Sequence, residues 1–252
     1  MTLQEALLVV AAGWVAGVVN TIAGAGSLLT FPALLAVGLP PLTANVTNSI
    51  GVVPGSVSGA WAMRRRLSGA RTELIGLGAC AALGALVGGG ILLLLPSSAF
   101  DRVVPVLVGL AGLLVLCQPL VARRAQRAMV APARPSRFTP AAVAGLGVYA
   151  GYFGAAIGVL LLGVLGLLTR DELSTVNAKK NVISAAANGT AGVLFAIVAP
   201  VHWVAALLLA AGSVTGGPVG AMLATRVPAG PLRLLIAGIS IVVAVRLGVE
   251  AY

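Results

Sequence analysis

Hydrophobic residues run along this chain in long blocks separated by short polar or basic punctuation. The blocks cover roughly residues 6–38, 42–63, 74–95, 101–121, 140–168, 181–199, 203–225 and 231–249. Most reach the ~20 residues that a helix needs to cross ~30 Å of hydrocarbon. The first and fifth blocks are longer and are interrupted, one by Gly24, Gly26 and Pro32, the other by Gly154 and Gly158. Each is therefore read as two pieces. Residues 27–38 would rise only ~18 Å as a helix, so the second piece is expected to be short or discontinuous. Non-helical backbone at that depth must be covered by protein or line a water-filled space.

The pattern repeats. Gly13 to Gly17, Ala23 to Gly26 and Ala44 to Asn48 in the first half are answered by Gly147 to Gly151, Ala155 to Gly158 and Asn177 to Asn181 in the second. The offset is 134 residues at Gly13 and Gly147 and 133 at Thr47 and Lys180, which sets Asn48 opposite Asn181. Glycines spaced by four at Gly51, Gly55 and Gly59, at Gly84 and Gly88, and at Gly212, Gly216 and Gly220 are assigned to close helix packing. The expected fold is all-α: a polytopic transmembrane helix bundle of two homologous, inverted repeats with broken first helices. Residues 1–121 and 140–252 form the repeats, and 122–139 a basic cytoplasmic linker. Paired halves in so apolar a chain point to a transporter, because related halves can rock about one site between them.

Composition agrees on the solvent. Hydrophobic residues make up 59% of the chain and charged residues 9%, with a mean hydropathy of +1.07, against about 25% charged residues in a soluble domain. The net charge of +10 is read as membrane orientation by the positive-inside rule, since no basic stripe is interleaved with aromatics as nucleic-acid binding would require. If each broken block counts as two passes, the basic clusters at 64–71, 123–137, 170–180 and 226–233 all fall on one side, leaving Arg102 and Arg246 opposite. Both termini then lie outside. The first five residues carry Glu5 and no base, so no cleavable signal is expected. Cys80 and Cys117 read as small hydrophobes, and Trp14, Trp61 and Trp203 as interfacial anchors.

The six acids, Glu5, Glu73, Asp101, Asp171, Glu172 and Glu250, all stand at block edges. The carboxylates that cation carriers place at depth are missing there. The interior instead holds amides, hydroxyls and two lysines, including Asn45, Asn48 and Ser49 in one half and Asn177, Asn181, Ser184 and Asn188 at helical spacing in the other. Any one of these could simply bridge helices, at ~0.6 kcal/mol. As mirrored stripes beside glycine breaks they suit a small oxyanion, which neutral donors can hold at less cost than buried charges. The candidate substrate-binding set is Asn20, Gly24, Gly26, Ser27, Thr47, Asn48, Gly154, Gly158, Asn177, Lys180, Asn181 and Asn188. Lys180 is expected to supply fixed positive charge to the path and Lys179 to snorkel toward the headgroups. His202 is the only histidine, which makes no metal site. No phosphate-binding loop or serine with a plausible base is present, so neither a cofactor nor an enzymatic activity is expected.

The run from Gly13 through Ser27, Thr30, Pro32 and Gly38 to Asn48, with Gly154, Gly158, Asn177 to Asn181, Gly212 to Gly220, Arg226 and Pro228, resembles the TauE/SafE family of sulfite exporters and toluene sulfonate uptake permeases (TSUP). The likeness spans nearly the whole chain. It implies transport of sulfite, sulfonates or other organosulfur anions across a bacterial inner membrane. Ala25 and Ala156 stand where a further glycine is common. Expected partners are a small anion and the lipid bilayer, with a homodimer left open. A passive anion channel and a non-transporting scaffold subunit remain as alternatives.

Overall fold

A computed structural model describes residues 1–128, 137–169, 171–224 and 229–251, with positions 121–128, 229, 250 and 251 described for backbone alone. Residues 129–136 of the linker expected at 122–139 thus lie outside the described residues, as do the side chains of Arg123, Arg124 and Arg127 and the whole of Arg134, Arg170, Arg226 and Pro228.

Every regular element among the described residues is helical. The first half builds α1 (Leu3–Ala23), α2 (Ser27–Ala36), α3 (Pro41–Gly51), α4 (Val53–Ala62), α5 (Arg71–Leu94) and α6 (Ser97–Ala128). The second builds α7 (Thr139–Tyr152), α8 (Ile157–Leu168), α9 (Leu173–Val198), α10 (Trp203–Leu223) and α11 (Ala229–Ala251). Local chemistry explains the ends. Thr2 and Glu5 close a capping box on α1, satisfying amides that no helical carbonyl can reach. Pro41 opens α3, where its missing N–H costs nothing. Pro54, at the start of α4, denies the preceding turn a donor and separates α3 from α4.

Six helices, α1, α5, α6, α9, α10 and α11, are long and apolar enough to cross a membrane. Their outward faces carry large apolar side chains such as Leu83, Leu94, Leu207 and Val242, while Asn45, Asn48, Asn181 and Lys180 are buried. That inside-out distribution identifies a multi-pass membrane protein. Trp14, Trp61 and Trp203 are exposed, as anchors should be. Cys80 and Cys117 are unpaired, and Cys117 is exposed rather than in the core.

Lipid offers no hydrophobic drive for helices to associate, so close van der Waals contact must supply it. Two seams do this, α1 along α10 and α7 along α5. A Cβ at Gly84 would collide with the Ala144 carbonyl, one at Gly88 with Val148, one at Gly216 with Trp14 and one at Gly220 with Val18. Only glycine fits these positions. Gly13 lies against Leu209 and Gly17 against Ser213 on α10, and Gly147 lies against Ala81 and Gly151 against Ala85 on α5. Helices α4 and α9 pack beside the two seams, and α6 and α11 pair with each other.

Candidate functional site

Both broken blocks part where the sequence placed the breaks. In the first, Gly24 caps α1 in the left-handed conformation at φ 77°, a region open to glycine at no steric cost. In the second, Gly154 has φ 72° and Ala156 is the one non-glycine residue with positive φ among the described residues, 58°, a strained choice for a side chain with a Cβ. The two breaks meet: Gly24 packs directly on Gly158, with no room for a Cβ on either. Across this contact the Ala156 amide donates to Ser27 Oγ at 3.3 Å. The N-termini of α2 and α8 therefore converge, each bringing the positive end of a helix dipole, although the amides of Leu28, Leu29, Thr30, Ile157 and Val159 are bonded to carbonyls of the preceding turn.

Carbonyls at the broken ends also accept from side chains of other helices, Asn20 O in addition to its bond from the Gly24 amide. Lys180 Nζ donates to the Asn20 carbonyl and lies 3.5 Å from that of Thr21. Asn177 Nδ2 donates to the same Thr21 oxygen at 2.9 Å, and Gln118 Nε2 to the Ala23 carbonyl at 3.1 Å. The ammonium thus sits on the negative end of α1. In the second half, Asn45 Nδ2 donates to the Tyr152 carbonyl at the end of α7, at 3.0 Å.

From this centre a cavity of about 530 Å³ opens toward one end of the bundle. Arg65, Arg66 and Arg233 line it, with Ser174, Gln118 and Asn177, and none of its lining residues is acidic. Arg233 Nε donates to Gln118 Oε1 at 2.9 Å, and Arg66 bonds Ser174 at 3.1 Å. Basic groups from two distant parts of the chain, residues 65–66 and 233, are thus gathered at one cavity. At the other end, Phe31, Phe100 and Phe153 are each 1% exposed. Phe31 and Phe153 meet edge to face at 5.6 Å between centroids, with Phe100 and Tyr149 against Phe153. Phe100 and Gln118 stand eighteen residues apart on α6, about 27 Å along a helix, so the cavity and the aromatic cluster occupy opposite ends.

Of the twelve residues singled out from the sequence, Gly24, Gly26, Ser27, Gly154 and Gly158 form the two breaks, and Asn20, Asn177, Lys180 and Asn188 contact them or the end of α1. Asn177 alone among them lines the open cavity. Lys180 and Asn181 are fully buried just beyond it, and Asn181 Nδ2 approaches Met63 Sδ at 3.7 Å. Asn20 donates through its side chain to Ser56. Thr47 accepts from the His202 amide, and Asn48 from Thr30. Gly26 packs against Ala16 and Asn20, and Gly154 lies beside Asn188 Oδ1 and Ser49 Oγ. Buried oxygens on Thr21, Asn45, Asn177, Asn181 and Ser184 have no hydrogen-bond partner among the protein atoms, so the polar groups of this interior do not saturate one another. Lys179 departs from expectation. Instead of snorkelling it is 3% exposed and paired with Glu73 and Asp171, the latter at 2.6 Å, because helix α5 brings an acid to it. Gln118 and Met63 went unread in the sequence, and Arg233 was read only as a topology charge; a lone glutamine in an apolar block was the available signal.

The family model described as sulfite exporter TauE/SafE matches residues 9–247. The chain is 29% identical over 238 residues to the probable membrane transporter protein ORF9 of Sinorhizobium sp., covering 94% of this chain and 89% of that protein. It is 28% identical over 211 residues to the probable membrane transporter protein YfcA of Escherichia coli K12, covering 82% and 76%. A probable membrane transporter protein of Haemophilus influenzae is 27% identical over 213 residues, covering 83% and 81%. No solved structure matches.

Proposed function

The chain belongs to the sulfite exporter TauE/SafE family of membrane transporters, and from that membership we propose that it is a secondary carrier of small oxyanions, sulfite or organosulfur anions such as sulfonates, in the bacterial inner membrane. One observation carries the reading: an acid-free cavity rimmed by Arg65, Arg66 and Arg233 that ends at Asn177, beside the breaks. A cavity walled by one sign of charge concentrates solutes of the other. At its floor an anion would meet Asn177, the Lys180 charge behind the Thr21 carbonyl, and the converging N-termini of α2 and α8, which favour negative charge. The unpartnered amide oxygens of Asn177 and Asn181 belong to groups that can accept from a protonated oxyanion. Asn181, held only by a weak contact to sulfur, is free to turn its N–H₂ to a deprotonated one.

The aromatic cluster supports a carrier over an open channel. With Phe31, Phe100 and Phe153 packed at the end opposite the cavity, the pathway is open to one side only. Passage then requires the halves to move, as in alternating access about a site between repeats. The test is flux in proteoliposomes of the purified protein, comparing sulfite, thiosulfate, sulfate and small sulfonates with chloride. Saturable oxyanion uptake accelerated by unlabelled substrate on the far side is expected. Chloride flux equal to oxyanion flux, without such counterflow, would refute the proposal.

A further inference from the structure

We propose that Arg233 grips the oxyanion in the cavity, and that Gln118 positions its guanidinium while linking it to the α1–α2 break. The proposal rests on the anion-carrier reading and adds to it a site on α6 and α11, outside the glycine breaks and amide stripes.

Three observations carry it. First, Arg233 lines the cavity, and no acid does. Among the described acids, Glu73 and Asp171 are engaged with Lys179, and Glu172 with Arg66 and Ser174. Second, Arg233 spends its Nε–H on Gln118 Oε1, which leaves the two terminal amino groups as the face for a ligand. Those groups make a planar fork that matches two oxygens of a sulfite, sulfonate or carboxylate, and that a spherical chloride cannot engage in the same way. Third, Gln118 is 7% exposed and both ends of its amide are committed, the oxygen to Arg233 and the nitrogen to the Ala23 carbonyl. A flipped amide would set donor against donor and acceptor against acceptor, so the orientation is fixed by its partners. The guanidinium is therefore pre-aimed, and the residue aiming it also holds the last turn of α1, next to the Gly24 cap. Gln118 acts as a positioning residue; only Arg233 touches the ligand.

The experiment uses the full-length protein. Binding of radiolabelled sulfite in detergent, and its transport in proteoliposomes, are measured for the wild type, Arg233→Lys and Gln118→Met, each first checked for monodisperse elution. Arg233→Lys keeps the charge and loses the fork. It should raise the dissociation constant and KM for sulfite about tenfold or more, with Vmax within about twofold and inhibition by chloride little changed, because a charged bond is lost without loss of charge. Gln118→Met keeps the arginine and frees it, and should raise the sulfite KM several-fold with the same indifference to chloride. Sulfite constants within twofold of wild type in both variants would overturn the proposal while leaving the carrier reading intact. So would parallel shifts for sulfite and chloride, which mark general distortion. A wild type that binds sulfite, loses it in Arg233→Lys, and moves none would overturn the carrier reading and keep the site. A wild type that neither binds nor moves sulfite would overturn both.

Discussion

Replacing Lys180 with methionine separates the electrostatic role of this ammonium from its structural one. The side chain is fully buried, and methionine keeps most of its length and apolar contact. The carbonyls it serves are not orphaned by the change, since Asn20 O still accepts from the Gly24 amide and Thr21 O from Asn177. Loss of the charged hydrogen bond costs about 1.5–3 kcal/mol. Relief from burying an ammonium returns several kcal/mol in the opposite direction, so folding should survive. Attraction for an anion has no such compensation. Lys180 Nζ and Asn177 Nδ2 lie 3.5 Å and 2.9 Å from the shared Thr21 oxygen, hence within about 6 Å of each other. An anion hydrogen-bonded at Asn177 would then sit roughly 9 Å from the ammonium, and at an effective dielectric of about 20 the attraction is about 1.8 kcal/mol. That corresponds to a KM about 20-fold higher in Lys180→Met. Steady-state uptake in proteoliposomes, with melting in detergent as the control, is the assay. A KM within twofold of wild type in a well-folded variant would refute the placement of this charge beside the path.

Three further outcomes are expected. Lys179→Met should lower thermal stability in detergent by about 1–3 kcal/mol, less than the loss for a fully buried pair because Glu73 and Asp171 are 41% and 27% exposed and can rehydrate; an unchanged melting temperature would count against a structural triad. Gly88→Ala should cost about 3 kcal/mol or more by overpacking against the Val148 backbone, whereas Gly76→Ala, with open space around it, should be neutral or gain up to about 1 kcal/mol from helix propensity; fluorescence-detected size exclusion after heating ranks the two. Phe31→Ala with Phe153→Ala should weaken the closed end and convert counterflow into uncoupled leak, and retention of full trans-acceleration in the double variant would exclude the aromatic cluster as a barrier.

The helix breaks and the polar faces were legible in the sequence because each has a local cause. Gly24 and Gly154 interrupt long apolar blocks, and Asn177, Asn181, Ser184 and Asn188 fall on one side of a helix by their spacing alone. Partners were not legible. A helical position says which way Lys180 points, but not that the end of α1, 160 residues earlier, will be there to receive it. Lys179 and Lys180 are adjacent and chemically identical; the groups that receive them, Glu73 and Asp171 for one and the end of α1 for the other, distinguish their roles. Small residues recurring about every four positions look alike after a shift of one turn, so their spacing alone does not say which backbone each glycine meets. Gln118 was hidden because its importance comes from the two groups it joins, on α11 and α1.

The contact between Gly24 and Gly158 has a mechanical consequence. Two rods touching at their midpoints, with nothing between them to compress, can tilt about that point more readily than they can slide past it. Tilting that widens the space above the fulcrum narrows the space below. A molecule built on such a seesaw needs no separate latch to keep its two mouths from gaping together, and a Cβ at either glycine would wedge the pivot itself.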